Sequence, residues 1–529
     1  MRLPLWVCAV TCLALAGCKG DPTTPEYWAK ALAGADGKRE KERVASELRE
    51  SPHVNASFLP MMHRALAEEK NPKARTEIAR KLGDLKSPTS VTPLAEAVDL
   101  SASDSAANEL NRTLVIALGA IGDKAAIPHL LKWLNARDPY TRIEAISALG
   151  TLKATEAVDS LLAILADGSE EPFVAKKAIQ ALGSTRDPRS IPVLTKMMFY
   201  ERKGVSFYPE SSFALFQIGA PAIPAVRAVF KGEDKPLAAW AKENKIIEPA
   251  MFAKSAQVLG DLQDVESASA LLSRLKFESE FLDVKLFVRM RVADALGRLR
   301  AQEAATPLAA MLSEEEPTAK QEYVRALTLI GGRGAIAALT QSAAKGDFTA
   351  REMAAHALAL LGDERELPVL EKWAKDEPGL TAGECKRDAD VKGCSNPETL
   401  GQERAQGLAR EAKALEAAQA CKADGACWAK KLESAEPVVR ERAALEVGRS
   451  RQGPLLAALI GRARDADVDA RLAAVQAAFW LMRDVPESAA KVKDKAAVLE
   501  KQLDEERQST EFVKVNEDLR RLSFRLSSL

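Results

Sequence analysis

The side chains best able to hold a metal or carry a proton near neutral pH are the four histidines, His53, His63, His129 and His356. No two lie at the helical spacing of a metal pair such as His-Glu-x-x-His. The residues that follow them are Val54, Arg64, Leu130 and Ala357, so none begins a histidine-carboxylate dyad. His129 comes just after Pro128 and His356 falls inside an amphipathic helix; both read as ordinary solvated or core-edge imidazoles. Gly331-Gly332-Arg333-Gly334 has the glycine content of a phosphate loop but lacks the lysine and the preceding strand, and it coincides with a turn between helices. With no nucleophile, base or ligand set assembled, the expectation is a chain with no catalytic residues, no metal and no cofactor, and not an enzyme.

The elements that would have to position any chemistry are helical hairpins. Between Asp138 and Leu165, Ile143, Ile146 and Leu149 share one helical face, Gly150 interrupts it, and Val158, Leu161, Leu162 and Leu165 open a second amphipathic helix. Two such helices cannot bury both apolar stripes alone, so they must stack on copies of themselves. The fold class expected is all-α, an α-solenoid of stacked hairpins. Glycine recurs at the end of the first helix, at Gly83, Gly119, Gly150, Gly183, Gly260 and Gly297. It stands three residues later, at Gly219, Gly331 and Gly362, in the units that hold Phe216, Thr328 and Ala359 at the earlier place, and Gly448 marks a later unit. Successive units up to residue 359 are 31 to 44 residues apart. Each of these glycines reads as a left-handed C-cap and therefore as the hinge of its hairpin. Pro93, Pro128, Pro192, Pro224, Pro307 and Pro368 follow eight to ten residues on, in the first turn of each second helix.

Ala117-Leu118-Gly119-Ala120-Ile121-Gly122-Asp123, continued by Ala126-Ile127-Pro128-His129-Leu130-Leu131, resembles the short bacterial HEAT repeat of the PBS-lyase-like type. Asp138-Pro139 with Arg142, and Glu436-Pro437 with Arg440, resemble that family's acidic-proline-arginine turn. The resemblance runs clearly over residues 70 to 375 and loosely over 400 to 485. It implies a fold rather than an activity, because solenoids host unrelated functions. HEAT-like hydroxylases bind iron through histidine-glutamate pairs, which this sequence lacks, and no lyase-specific residue is found.

Arg2 and the apolar run from Leu3 to Ala16 read as an export signal, too short to span a bilayer. Leu15-Ala16-Gly17-Cys18 resembles the bacterial lipobox, which implies cleavage after residue 17 and acyl chains on Cys18 that hold the protein at a membrane. Lys19 favours the outer membrane, facing the periplasm, by that family's sorting rule. The expected organisation is a signal over 1–17, a tether over 18–26, a first repeat array over 27–375 opening on a unit without a glycine anchor, a cysteine-containing loop over 376–400, further repeats over 401–485 and closing helices over 486–529. One extra short helix is expected at 236–247. Cys385, Cys394, Cys421 and Cys427 in an exported chain read as disulfides; three pairings exist, and the local one, Cys385 with Cys394 and Cys421 with Cys427, is preferred because short loops close most readily. Their spacings do not match the tight pairs of structural zinc. Phe512, Val515, Leu519, Leu522, Leu526 and Leu529 form a narrow apolar seam, read as a cover for the last repeat, with a homodimer contact through 512–529 as the alternative.

Lysine plus arginine equals aspartate plus glutamate, at 75 each, so nucleic-acid binding loses its usual driving term. The functional expectation is a non-enzymatic, lipid-anchored envelope scaffold that binds a protein or peptide on its concave surface. The alternative is an envelope enzyme or a metal or cofactor carrier built on the cysteine-rich stretch 376–427.

Overall fold

In the computed structural model, residues 20–312, 317–388, 390–506 and 513–528 are described; Cys18 with Leu15, Ala16 and Gly17, and both Phe512 and Leu529, lie outside them. Apart from a hairpin of two-residue strands, Glu201–Arg202 and Val205–Ser206, the described elements are helices. The fold is all-α, an α-solenoid of stacked helical hairpins. The chain divides into two compact units, residues 1–222 and 223–529.

Unit 1 opens with Pro25–Gly34, Gly37–Glu50 and Leu59–Glu68. The core helices that follow are α1 (Pro72–Asp84), α2 (Ser105–Ile121), α3 (Pro139–Thr151), α4 (Pro172–Thr185) and α5 (Tyr208–Ile218). The turn between repeats explains itself chemically. The Asp138 carboxylate accepts from the Thr141 N–H at 2.9 Å, capping α3 next to Pro139, and the same carboxylate accepts from Arg112 Nε of α2 at 2.8 Å. Arg142 then reaches Glu170 in the next turn at 2.7 Å, so one charge ladder runs from repeat to repeat.

The early glycines do not do what their spacing suggests. Gly83, Gly119, Gly150, Gly183, Gly260, Gly297 and Gly448 sit inside their helices rather than at left-handed caps. What they supply is the absence of a side chain where helices of neighbouring repeats touch. A Cβ on Gly150 would lie 3.1 Å from the Cα of Ala181, one on Gly83 3.0 Å from the Cα of Ala117, and one on Gly297 2.9 Å from the Cα of Ala326. The left-handed turn comes three residues later, at Lys86, Lys153, Arg186, Gln263, Arg300 and Arg451, whose φ values run from 49 to 59°. That later place is where Gly219 and Gly331 stand, each at φ 81°, while Gly362 ends its helix in extended backbone. Two constraints, close approach and chain reversal, therefore act at separate positions three residues apart.

Unit 2 contains the inserted helix, at Lys235–Glu243, and the core helices α6 (Glu248–Asp261), α7 (Leu282–Leu299), α8 (Pro317–Ile330) and α9 (Phe348–Leu361). The long hairpin α10 (Leu367–Arg387) and α11 (Pro397–Cys421) follows, then α12 (Pro437–Arg449), α13 (Val468–Asp484) and α14 (Val513–Ser527). The loop expected over 376–400 is thus mostly helix, with α10 continuing through Pro378 to Arg387. Tertiary packing overrides the local breakers: a Cβ on Gly401 of α11 would lie 2.8 Å from the Cα of Pro378, and buried Glu377 accepts both arms of Arg351, at 2.7 and 2.8 Å.

Unit 2 closes on itself. Trp480 Nε1 of α13 donates to the Arg298 carbonyl of α7 at 2.8 Å, and Asp518 of α14 accepts from Arg298 Nη1 and Nη2 at 3.0 and 3.1 Å. Arg521 pairs with Asp261 of α6 at 2.9 Å. Val515, Leu519, Leu522 and Leu526 are buried within the unit. Those four side chains cover the chain's own core, as expected of a closing helix laid over the last repeat.

Candidate functional site

The closure of unit 2 leaves a cavity of about 560 Å³ between α8, α9, α11, α12, α13 and α14. Its apolar floor includes Val324, Leu445 and Ala473, all buried. Five carboxylates line it, Glu352, Glu411, Glu441, Asp469 and Asp518, against one arginine, Arg325, and one imidazole, His356. Asp518 is held by Arg298, while Glu352 and Asp469 form no ion pair among the described residues. The lining therefore carries a negative excess, which in a concave, partly desolvated space focuses a field that attracts cations.

His356 sits at the centre of this charge. Its Nδ1 lies 3.3 Å from Glu411 of α11 and its Nε2 3.3 Å from Glu441 of α12. Burial disfavours the imidazolium, but the Glu441 charge and the bonds to both carboxylates outweigh it and raise the His356 pKa well above its ordinary value. Burial pushes the Glu441 carboxyl up, with the imidazolium pulling the other way. The protonated ring thus ties three helices together with each nitrogen donating to a carboxylate. Behind the wall lies a buried network of Asp261, Asp294, Arg298, Asp518 and Arg521. Burial pushes Asp261 up to about 6 against the pull of Arg521 and Arg298. Burial also works to raise Asp518, but Arg298 and Arg521 overcome it and hold that carboxyl low.

The other residues singled out by sequence are dispersed. His53 is exposed, His63 Nε2 lies 2.8 Å from Ser90 Oγ, and His129 leans on Trp133. Arg333 of the glycine-rich turn pairs with Asp363 at 2.8 Å and with Glu366, as part of a repeat junction. Cys385 is bonded to Cys394 and Cys421 to Cys427, so the stretch 376–427 has no free thiolate to offer a metal or cofactor. Sequence reasoning missed Glu352, Glu411, Glu441, Asp469 and Asp518, each of which looks like a charge on a solvated helix face. The available signals were Glu352 one turn before His356 on the same helix, and charges at 518 and 521 interrupting an otherwise apolar seam.

The family model of HEAT repeats matches residues 59–137, 99–172, 127–203 and 306–382, and that of the PBS lyase HEAT-like repeat matches 288–314. The chain is a HEAT-repeat protein. Among curated proteins it is similar to deoxyhypusine hydroxylase of Schizosaccharomyces pombe, 26% identical over 277 residues that cover 51% of this chain and 80% of that protein. It is also similar to deoxyhypusine hydroxylase-B of Oryza sativa subsp. japonica, 27% identical over 232 residues covering 35% of this chain and 76% of that one. Among solved structures it is similar to importin beta, with a TM-score of 0.45 and 15% identity over 92% of this chain and 70% of that one.

These relatives correct one expectation. A chain that is not an enzyme was expected from the absence of a catalytic constellation, yet the curated proteins it resembles are named as an enzyme. The correction does not bring a metal centre with it. No histidine here is followed by glutamate, and among the described residues no group of three or more His, Cys, Asp or Glu side chains converges as metal ligands would. The donor set does not fit the histidine-glutamate pairs of the iron-binding hydroxylases.

Proposed function

We propose that this protein is a HEAT-repeat platform, held at a bacterial cell envelope through acyl chains on Cys18, that binds a protein or peptide partner and receives a cationic group of that partner in the unit 2 cavity. The observation that carries the reading is the excess of carboxylates around an open-mouthed cavity with an apolar floor. An amine or guanidinium there would lie between Glu352 and Asp469 while its aliphatic stem packs on Leu445 and Leu472. The lipid anchor rests on the resemblance of Leu15-Ala16-Gly17-Cys18 to a lipobox. Among the described residues, no single helix is long and apolar enough to cross a membrane.

The test is recovery of a stoichiometric partner from envelope extract by the wild-type chain, with loss of that partner in the Glu352→Gln/Asp469→Asn variant. A partner retained equally by both would place recognition elsewhere. Metabolic labelling with palmitate is expected to disappear in Cys18→Ala, and labelling that persists would remove the anchor. A second reading of the same cavity follows the relatives' printed name: the cationic group received is a deoxyhypusine side chain. Its readout is binding of a deoxyhypusine-bearing peptide by the wild-type chain and loss of that binding in the double variant.

A further inference from the structure

A second cavity, of about 410 Å³, lies in unit 2 beside the helix that interrupts the repeat spacing. It differs in character from the acidic one. Its walls are Val229, Ala241, Met251 and Phe252, each at most 5% exposed, and its open side carries Ile247, which is 55% exposed. The back wall is made rigid by rings: Phe252 stands edge-on to Phe230 and to Phe277, and the Arg274 guanidinium lies 3.5 Å from the Phe252 centroid.

The charges on the rim divide into used and free. Asp234 is occupied as the cap of the inserted helix, accepting from the Leu237 N–H at 3.0 Å. Glu248 and Arg274 flank Gly232 and offset one another. Lys242 and Lys245 remain, both exposed and neither paired with a carboxylate among the described residues. Lys245 is fixed at φ 58° in the turn that ends the inserted helix, so its backbone position is set by the fold. An apolar slot with two uncompensated ammonium groups at its mouth is complementary to a molecule with an aliphatic body and an anionic head.

We infer that this cleft is a binding site for the free form of a long-chain fatty acid, with the acyl chain along Met251 and Phe252 and the carboxylate between Lys242 and Lys245. The inserted helix is then the element that makes the site, because the cleft exists only where the repeat is widened by it. This site is separate from the acidic cavity and does not depend on the ligand proposed there.

The experiment titrates the full chain with cis-parinaric acid, followed by fluorescence, and displaces it with dodecanoate, dodecanol or dodecyltrimethylammonium. One saturable site per chain is expected, with dodecanoate displacing the probe at roughly tenfold lower concentration than the cationic amphiphile. Lys242→Glu/Lys245→Glu should reverse that preference, and Ala238→Trp, which fills the slot from its half-buried edge, should abolish binding while the melting temperature is kept. Non-saturable binding, equal displacement by all three amphiphiles, or an unchanged preference in the double lysine variant would overturn the assignment. If Ala238→Trp lowers the melting temperature, the lysine variant alone decides.

Discussion

Replacing Arg298 with methionine removes the cation on which the closure of unit 2 rests. In the wild-type chain Arg298 Nε donates to Asp294 at 2.9 Å, its two Nη atoms donate to Asp518 at 3.0 and 3.1 Å, and Asp261 lies 3.4 Å away. The Arg298 side chain is 7% exposed and those of the three aspartates between 2 and 8%, so solvent cannot replace what is lost. Breaking a buried pair while leaving its carboxylates in place costs about 3–5 kcal/mol. Because Asp518 is on α14 and Arg298 on α7, that cost falls on the closure. Amide exchange in residues 515–527 should accelerate by roughly 10²- to 4 × 10³-fold, at a tenfold change per ~1.4 kcal/mol. Exchange in α3 and α4, which lie in unit 1, should stay as it was. Hydrogen-exchange mass spectrometry of the full chain reads both regions in one experiment. Unchanged protection of α14 in the variant would show that the helix is held by its apolar seam alone and not by Arg298.

Asp261 gives a pH signature. Its folded-state pKa, raised to about 6, lies above that of the unfolded chain, so its contribution to stability is full in acid and is lost as the pH rises through 6. Urea unfolding of Asp261→Asn should therefore show a flatter profile between pH 4 and 7 than wild type, and identical profiles would contradict the assignment. At the repeat junctions, Gly150→Val is expected to destabilise by ~1–3 kcal/mol, because the new side chain meets the Ala181 backbone. Lys153→Gly should instead leave stability unchanged or raise it by up to ~1 kcal/mol, since Lys153 holds a left-handed φ of 51°. Thermal denaturation of the two variants side by side checks whether close approach and chain reversal are divided between those positions.

The fold was legible because its signal is repeated. Helix period, proline at the second helix and a glycine every 31 to 41 residues all agree, and the periodicity does not depend on what any one glycine does. The physical role of the glycine was not legible. A helix-ending glycine and a close-packing glycine give the same local text, and only the alanine opposite, on the next repeat, distinguishes them. Residues 376–387 misled for the related reason that Pro378, Gly379 and Gly383 are local breakers overruled by packing against α11. The site was hidden more deeply. Glu411, Glu441 and Asp469 come from three helices and acquire meaning only when unit 2 closes around His356, an event set by Arg298 and Asp518 at a separation of 220 residues. No local motif records such an encounter. Absence of a motif was also a poor guide to similarity, since the curated proteins that this chain resembles are named as an enzyme.

The most direct test of the acidic cavity is a calorimetric titration of the full chain with tri-lysine, with tri-glutamate as the control, repeated on Glu352→Gln/Asp469→Asn. One site is expected that takes tri-lysine, weakens with added salt and is lost in the double variant, with no heat from tri-glutamate. Equal binding of tri-lysine by the wild type and the variant, or none by either, would contradict it.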